Sequence, residues 1–131
     1  MIVDSSALLA VILNEPDEPR FAAALVDATA LRISAATWLE SSIVVDRHRD
    51  RHVAARFDEL IAALRIEILP VTADLAAIAR HAHERFGRGA HRARLNFGDC
   101  FSYALAKHRG EPLLFKGNDF SMTDIEPALK D

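Results

Sequence analysis

The stretch that decides the fold is Met1-Ile2-Val3-Asp4-Ser5-Ser6-Ala7-Leu8-Leu9-Ala10-Val11-Ile12-Leu13. Ile2 and Val3 read as a short buried strand, and Asp4 closes it. From Ser5 an Ala/Leu run favours helix, with Ser and Asp as good N-caps. Asn14-Glu15-Pro16 ends that run. The alternation continues outward. Glu15-Pro16-Asp17-Glu18-Pro19 restarts a helix that carries Phe21, Leu25 and Val26 to about Asp27, since Pro suits a first turn and acids suit the positive end. Leu31-Arg32-Ile33 is a second strand, and Ser34 the next N-cap. Ala35 to Arg49 is expected to be helical, with Trp38, Leu39, Ile43 and Val44 facing inward. His52 to Leu64 places Val53, Phe57, Leu60, Ile61 and Leu64 at helical spacing.

Ile66-Glu67-Ile68-Leu69 alternates as a third strand, and the charged Glu67 suggests a sheet edge. Thr72 caps a helix with Leu75, Ile78, Ala79, Ala82 and Phe86 inward. Gly87 to Ala93 is a basic loop. Phe97-Gly98-Asp99 opens a helix with Phe101, Ala104 and Leu105 inward, ending at Gly110. Pro112-Leu113-Leu114-Phe115 is the fourth strand, Gly117-Asn118-Asp119 a turn, and Ile125 part of a last short strand. Strands alternating with helices imply an α/β fold, with a mainly parallel sheet and helices on both faces. In such folds chemistry gathers at the carboxyl ends of the strands.

At 131 residues, with no linker or repeat, the chain reads as a single domain, 1–131. Half the residues are hydrophobic and 27% charged, which excludes a disordered or fibrous chain. The single cysteine, Cys100, excludes a disulfide framework and fits a reducing, cytoplasmic setting. No apolar run approaches the ~20 residues of a membrane span. Met1-Ile2-Val3-Asp4 meets an acid at once without a basic segment, so no signal peptide and no membrane association are expected.

Three acids fall where such a sheet gathers its chemistry. Asp4 ends strand one, Asp119 follows strand four, and Asp99 stands in the first turn of the helix leading into strand four. Glu40 interrupts the apolar run Ala35-Ala36-Thr37-Trp38-Leu39 and could face them. Singly, Asp4 and Asp99 read as N-caps, Asp119 as a turn residue and Glu40 as an outward side chain. Together they would repel: two unit charges ~5 Å apart cost ~3 kcal/mol at an effective dielectric of 20. A divalent cation with hard oxygen ligands is the natural compensator, and Mg²⁺ or Mn²⁺ suits an all-carboxylate set better than zinc. A carboxylate-held metal beside basic residues points to phosphodiester hydrolysis, with Glu40 orienting or deprotonating water. From Arg80 to Arg94 the chain carries Arg80, Arg85, Arg88, Arg92 and Arg94 with His81, His83 and His91, against the single acid Glu84. That stretch is either a solvated face or a phosphate-binding rim.

Four segments carry a resemblance: Met1-Ile2-Val3-Asp4-Ser5-Ser6-Ala7-Leu8, Glu40 on its helix, Leu95-Asn96-Phe97-Gly98-Asp99-Cys100 running to Tyr103-Ala104-Leu105-Ala106, and Leu113-Leu114-Phe115-Lys116-Gly117-Asn118-Asp119-Phe120. In this order the chain resembles the PIN-domain ribonucleases, specifically the VapC-type toxins of bacterial toxin–antitoxin pairs. The resemblance implies a three-layer α/β/α sandwich and Mg²⁺- or Mn²⁺-dependent endoribonuclease activity on RNA that inhibits growth. It implies a homodimeric toxin and a hetero-oligomer with a cognate VapB-type antitoxin that neutralises it. Carried over by position, Asp4 and Asp99 would be metal ligands, Glu40 and Asp119 would complete a catalytic quartet, and Ser5 or Ser6 would support the site. One departure stands out. Many members carry Thr-x-Asp-x-Asp-Phe after strand four, where this chain has Phe115 in the Thr slot and Gly117 in the first Asp slot. That favours one well-held metal, with a second arriving with RNA.

A receiver domain would need a phosphoacceptor Asp after strand three, where Pro70-Val71-Thr72 stands. A haloacid-dehalogenase-like phosphatase would need a second Asp at Ser6. The non-enzyme alternative is a PIN-like binding module whose acidic pocket docks a partner's arginine. Cys100 at a helix start is either a lowered-pKa thiol or a buried small hydrophobe. Trp38 and Tyr103 are expected in the core or a dimer interface, and the scattered histidines at the surface.

Overall fold

Alternate residues of the short strands point into different cores. The structure, a computed structural model, describes residues 1–130. Strands β1 (Ile2–Val3), β2 (Arg32–Ser34), β3 (Glu67–Leu69) and β4 (Leu113–Leu114) are all parallel, in the order β3-β2-β1-β4. Ile2 pairs with Leu113, and Val3 with Leu114. Ile2 and Leu113 belong to one buried cluster, Val3 and Leu114 to the other. The sheet therefore separates two apolar layers, each closed by helices, which is the three-layer sandwich.

Six helices supply those layers: α1 (Ser5–Ile12), α2 (Glu18–Asp27), α3 (Ala35–Arg47), α4 (Arg51–Ala63), α5 (Ala73–Phe86) and α6 (Phe97–Arg109). Phe21, Leu25, Val45 and Phe57 of α2, α3 and α4 fill the cluster with Val3. Leu75, Ala79, Ala82 and Phe86 of α5 meet Tyr103, Ala104 and Leu105 of α6 in the cluster with Ile2. Glu67 on β3 is exposed at the sheet edge, as its charge suggested. No helix among the described residues is long and apolar enough to cross a membrane.

Three expectations need correction. The inward face of α3 is Thr37, Ser41 and Val45, not Leu39 and Ile43, which are exposed. The buried hydroxyls are satisfied inside: Ser41 Oγ donates to the Thr37 carbonyl, and Thr37 Oγ1 lies 3.3 Å from Ser102 Oγ. Phe101 is only half-buried and leans on Phe97. Ile125 is buried but forms no strand; Pro127 instead makes an isolated bridge to Leu113. Helix ends also fall short of the expected ones. Residues Asn14, Arg49 and Arg65 take left-handed backbone just after α1, α3 and α4, a stop that an arginine does not advertise.

The strand order fixes where a site can form. From β1 the chain steps outward to β2 and β3, then returns to place β4 on the other side of β1. The crevice beyond the carboxyl ends of β1 and β4 is the switch point of this sheet.

Candidate active site

Asp4 leaves β1 into that crevice and is 3% exposed. Its Oδ2 accepts from the Ser6 backbone N–H at 3.1 Å, making Asp4 the N-cap of α1. Ser6 Oγ donates to the same oxygen at 2.6 Å and accepts from the Lys116 N–H at 2.9 Å, tying the β1 exit to the β4 exit. Ser102 Oγ, fully buried on α6, donates to Asp4 Oδ1 at 2.6 Å. Its only proton is committed there, so Thr37 Oγ1 must be the donor in the 3.3 Å contact with Ser102. A buried carboxylate is tolerated because its oxygens are met by donors.

Asp99 has two roles as well. Its N–H donates to Asn96 Oδ1 and its own Oδ2 accepts from the Asn96 N–H, a complete capping box at the start of α6. Burial first, and then the charges of Asp4, Asp119 and Glu40, push its carboxyl up to about 6 against the hydrogen bond from Asn96. Glu40 Oε1 accepts from Ser5 Oγ at 3.1 Å. Burial raises the Glu40 carboxyl, helped by Asp4 and opposed by Ser5. Gly98 makes room for it: a Cβ there would lie 2.0 Å from Glu40 Oε2. Asp119 follows β4 on an exposed turn and caps nothing with its side chain.

All four acids line one open cavity of about 620 Å³, together with Ser5, Ser6 and a rim of apolar side chains. For Asp4, cap and cavity acid are thus not alternatives: the N-cap after β1 is also the position that looks into the crevice. The N-cap expected at Asp99 is Asn96 instead, and Asp99 lines the cavity from N3. The cavity lining contains oxygen donors and neither His nor Cys. Among the described residues, no three His, Cys, Asp or Glu side chains stand close enough together to hold an ion as placed; the acids line a wall and do not meet at a point. Asp99 Oδ1 and Glu40 Oε2 accept no hydrogen bond within the described residues. These hard, anionic oxygens suit a hard divalent cation and suit zinc poorly.

Residues 1–126 match the PIN domain family. The chain belongs to that family. This PIN domain is 50% identical over 130 residues to ribonuclease VapC28 of Mycobacterium tuberculosis, covering 98% of each chain. It is 42% identical to a ribonuclease VapC of Mycolicibacterium smegmatis, over 95% of this chain and 97% of the other. Among solved structures it superposes on Mycobacterium tuberculosis VapC20, described as a sarcin-ricin loop cleaving toxin, with a TM-score of 0.77 over 95% of each chain at 20% identity. A toxin–antitoxin complex from Klebsiella pneumoniae gives a TM-score of 0.70 over 94% of this chain and 92% of that one, at 18% identity. The PIN domain described here is a ribonuclease of the VapC type, and such nucleases generally depend on a divalent metal.

The other residues of this PIN domain sort between the readings left open. The cations lining the acidic cavity are Arg47 and Lys116, and none of Arg80 to Arg94 is among them. Arg85 pairs with Asp124 and lies 4.6 Å over the Phe86 ring; Arg80 pairs with Glu84. Arg47 lies two helical turns beyond Glu40, a spacing that could have revealed it. Ser102, three residues after Asp99 in an otherwise apolar run, was likewise a readable signal. Cys100 is a buried hydrophobe whose thiol is pushed up to about 11 by burial and then by Asp99, so it is not a reactive thiolate. Tyr103 packs in the core with its hydroxyl donating to Asp124, and Trp38 is half-buried against the other core.

Proposed function

We propose that this chain, read as a single PIN-like domain over residues 1–131, is a Mg²⁺- or Mn²⁺-dependent endoribonuclease. It acts as the cytoplasmic toxin of a VapBC-type pair: it hydrolyses RNA phosphodiester bonds as a homodimer and is neutralised by a cognate VapB-type antitoxin, with no membrane partner. The observation that carries the reading is the convergence of Asp4, Glu40, Asp99 and Asp119 on one cavity at the switch point. The relatives' names and the toxin–antitoxin neighbour support the RNA substrate and the antitoxin.

Asp4 and Asp99 would hold the ion, with Asp119 adding charge from the opposite turn. When bound, the ion would polarise the phosphate and lower the pKa of water. Asp4 is held in one orientation by Ser6 and Ser102, so it needs no reorganisation when substrate arrives. Ser5 ties up one oxygen of Glu40 and leaves Oε2 free. A carboxylate with a raised pKa is a better base near neutrality than an ordinary one, so Glu40 would take the proton of the attacking water. The leaving 3′ oxygen would collect its proton from solvent through the open mouth of the cavity.

The test is RNA cleavage that stops with chelator and returns with Mg²⁺, in the parent and in Asp99→Asn. Asparagine keeps an acceptor for the Asn96 N–H, so the capping box and the fold should survive. Cleavage should fall by at least about 100-fold. Full activity in Asp99→Asn, or in chelator, would overturn the assignment.

A further inference from the structure

Phe97 is 80% exposed, the most exposed large apolar side chain among the described residues. It sits two residues before Asp99, in the first turn of α6, and lines the acidic cavity. Its ring meets Phe101 edge-on, at 4.9 Å between centroids and 86° between planes. The two rings form the wall between the acidic cavity and a second, apolar crevice of about 350 Å³ that also borders Ala76, Ala79 and Cys100. With Leu39 and Ile43, also exposed on the same cavity, Phe97 forms an apolar rim beside the acids, and a contiguous apolar rim marks a binding surface where a lone exposed ring would not.

The other unspent group is Arg47, exposed in the last turn of α3 on the cavity rim. Lys116, the second cation of the cavity, is held by Glu15 and lies 3.0 Å from Asp17. Arg47 makes no ion pair with any described residue. It stands seven residues beyond Glu40, about 10.5 Å along the helix. An uncommitted guanidinium in an acidic cavity suits an anion brought from outside.

We propose that Phe97 and Arg47 form the subsite for the nucleotide next to the scissile phosphate, Phe97 stacking on its unpaired base and Arg47 binding a phosphate beyond the cleaved bond. This rests on the ribonuclease reading above. Phe97 and Asp99 line the same open cavity from one turn of α6, so a phosphodiester at Asp99 lies beside the Phe97 ring. Phe101 meets the Phe97 ring edge-on and leaves its faces to solvent, open to a base. Splayed single-stranded bases stack on aromatic rings with little sequence preference, while the phosphates supply a salt-dependent attraction. Of the basic stretch, Arg80 and His83 border the crevice behind the Phe97 ring, on the side away from the acids.

The experiment measures binding of rA₁₀, rU₁₀ and an abasic ribose-phosphate 10-mer by fluorescence anisotropy in Mg²⁺, in the Asp99→Asn background, with Phe97→Ala and Arg47→Gln added singly. Phe97→Ala should weaken rA₁₀ by about 5- to 100-fold and rU₁₀ by less, leaving the abasic strand unchanged. Arg47→Gln should weaken all three and lower the salt slope by about 0.7. Equal loss on rA₁₀ and the abasic strand, no loss on either, or an unchanged salt slope would overturn the subsite. So would a Phe97→Ala protein whose sedimentation or capture by its antitoxin changes while RNA affinity does not, since the ring would then be a protein contact. Mg²⁺-dependent RNA cleavage by the parent is read in parallel. Its absence would bring down the ribonuclease reading itself; its presence, with no base-dependent share from Phe97, would bring down this subsite alone.

Discussion

Replacing Gly98 by alanine should separate stability from activity. The three nearest atoms to a Cβ at this position are Oε2, Cδ and Oε1 of Glu40, at 2.0, 2.8 and 2.9 Å. The backbone need not move, because Gly98 is helical and its φ is ordinary for an L residue. The clash therefore falls on the far end of one flexible side chain. Turning Glu40 away from its preferred rotamer costs about 0.5–1.5 kcal/mol. Alanine in place of glycine recovers up to about 1 kcal/mol of helix propensity. The two offset, so the melting temperature should stay within about 4 °C of the parent. To reach ordinary contact the carboxylate must retreat by at least about 1 Å, and its bond from Ser5 would be lost. A misplacement of that size at a reacting group costs about 100-fold in rate. The assay pairs thermal melts with initial rates of Mg²⁺-dependent RNA cleavage. A variant as active as the parent at an unchanged melting temperature would refute a role for Glu40's position. One that melts far below the parent would refute the claim that the clash is confined to a movable side chain.

Further outcomes follow from the same geometry. Asp99 is raised to about 6 from 3.8, so the folded state holds its proton more tightly than the unfolded chain. Its contribution to stability is fully present below about pH 4 and lost as pH rises through 6, so in chelator the melting temperature should fall between pH 4.5 and 6.5. Glu111, lowered to about 2 because the amino terminus, Arg109 and Arg32 outweigh its burial, acts only below that window. Excess Mg²⁺ should then raise the melting temperature at pH 7.5 and not at pH 5; equal shifts at both would count against carboxylate ligation. Asp119→Asn removes a repelling charge without removing a cap, so the Asp99 titration followed by carboxyl NMR should move below 6; an unmoved midpoint would place Asp119 outside the cluster. Ser102→Ala strips a buried donor from Asp4, which should cost about 1–3 kcal/mol and raise the Mg²⁺ needed for half-maximal cleavage. Unchanged Mg²⁺ dependence would make Ser102 a packing residue.

The strand–helix alternation was legible because each element is short and buried on a recognisable pattern, and Glu67 even marked the edge. That Asp4 and Asp119 share a cavity was legible because a parallel sheet brings the ends of β1 and β4 together whatever lies between them. Asp4 caps α1 and lines the cavity at once, so the two readings do not exclude each other there; the N-cap expected at Asp99 is instead Asn96, with Asp99 at N3 closing the capping box. What stayed hidden depends on partners far apart in sequence. Ser102 and Thr37 meet across 65 residues, on the Thr37–Ser41–Val45 face of α3 that is buried while Leu39 and Ile43 are exposed. Arg47 lines the cavity beside Leu39 and Ile43 on that exposed side. Gly98 carried no signal until Glu40 was placed against it.

Pro127 bridges to Leu113, and the Ala128 N–H donates to the Leu113 carbonyl at 2.8 Å while the Leu113 N–H donates to Glu126. The tail thereby roofs the outer side of β4, leaving β3 as the open border of the sheet. That border is three residues long and carries Glu67, so it offers a poor template for a foreign strand. A chain clipped before residue 126 would lose the roof. It would then present unpaired backbone beside the buried Leu113 and Leu114, and self-association should begin there, one strand away from Asp4.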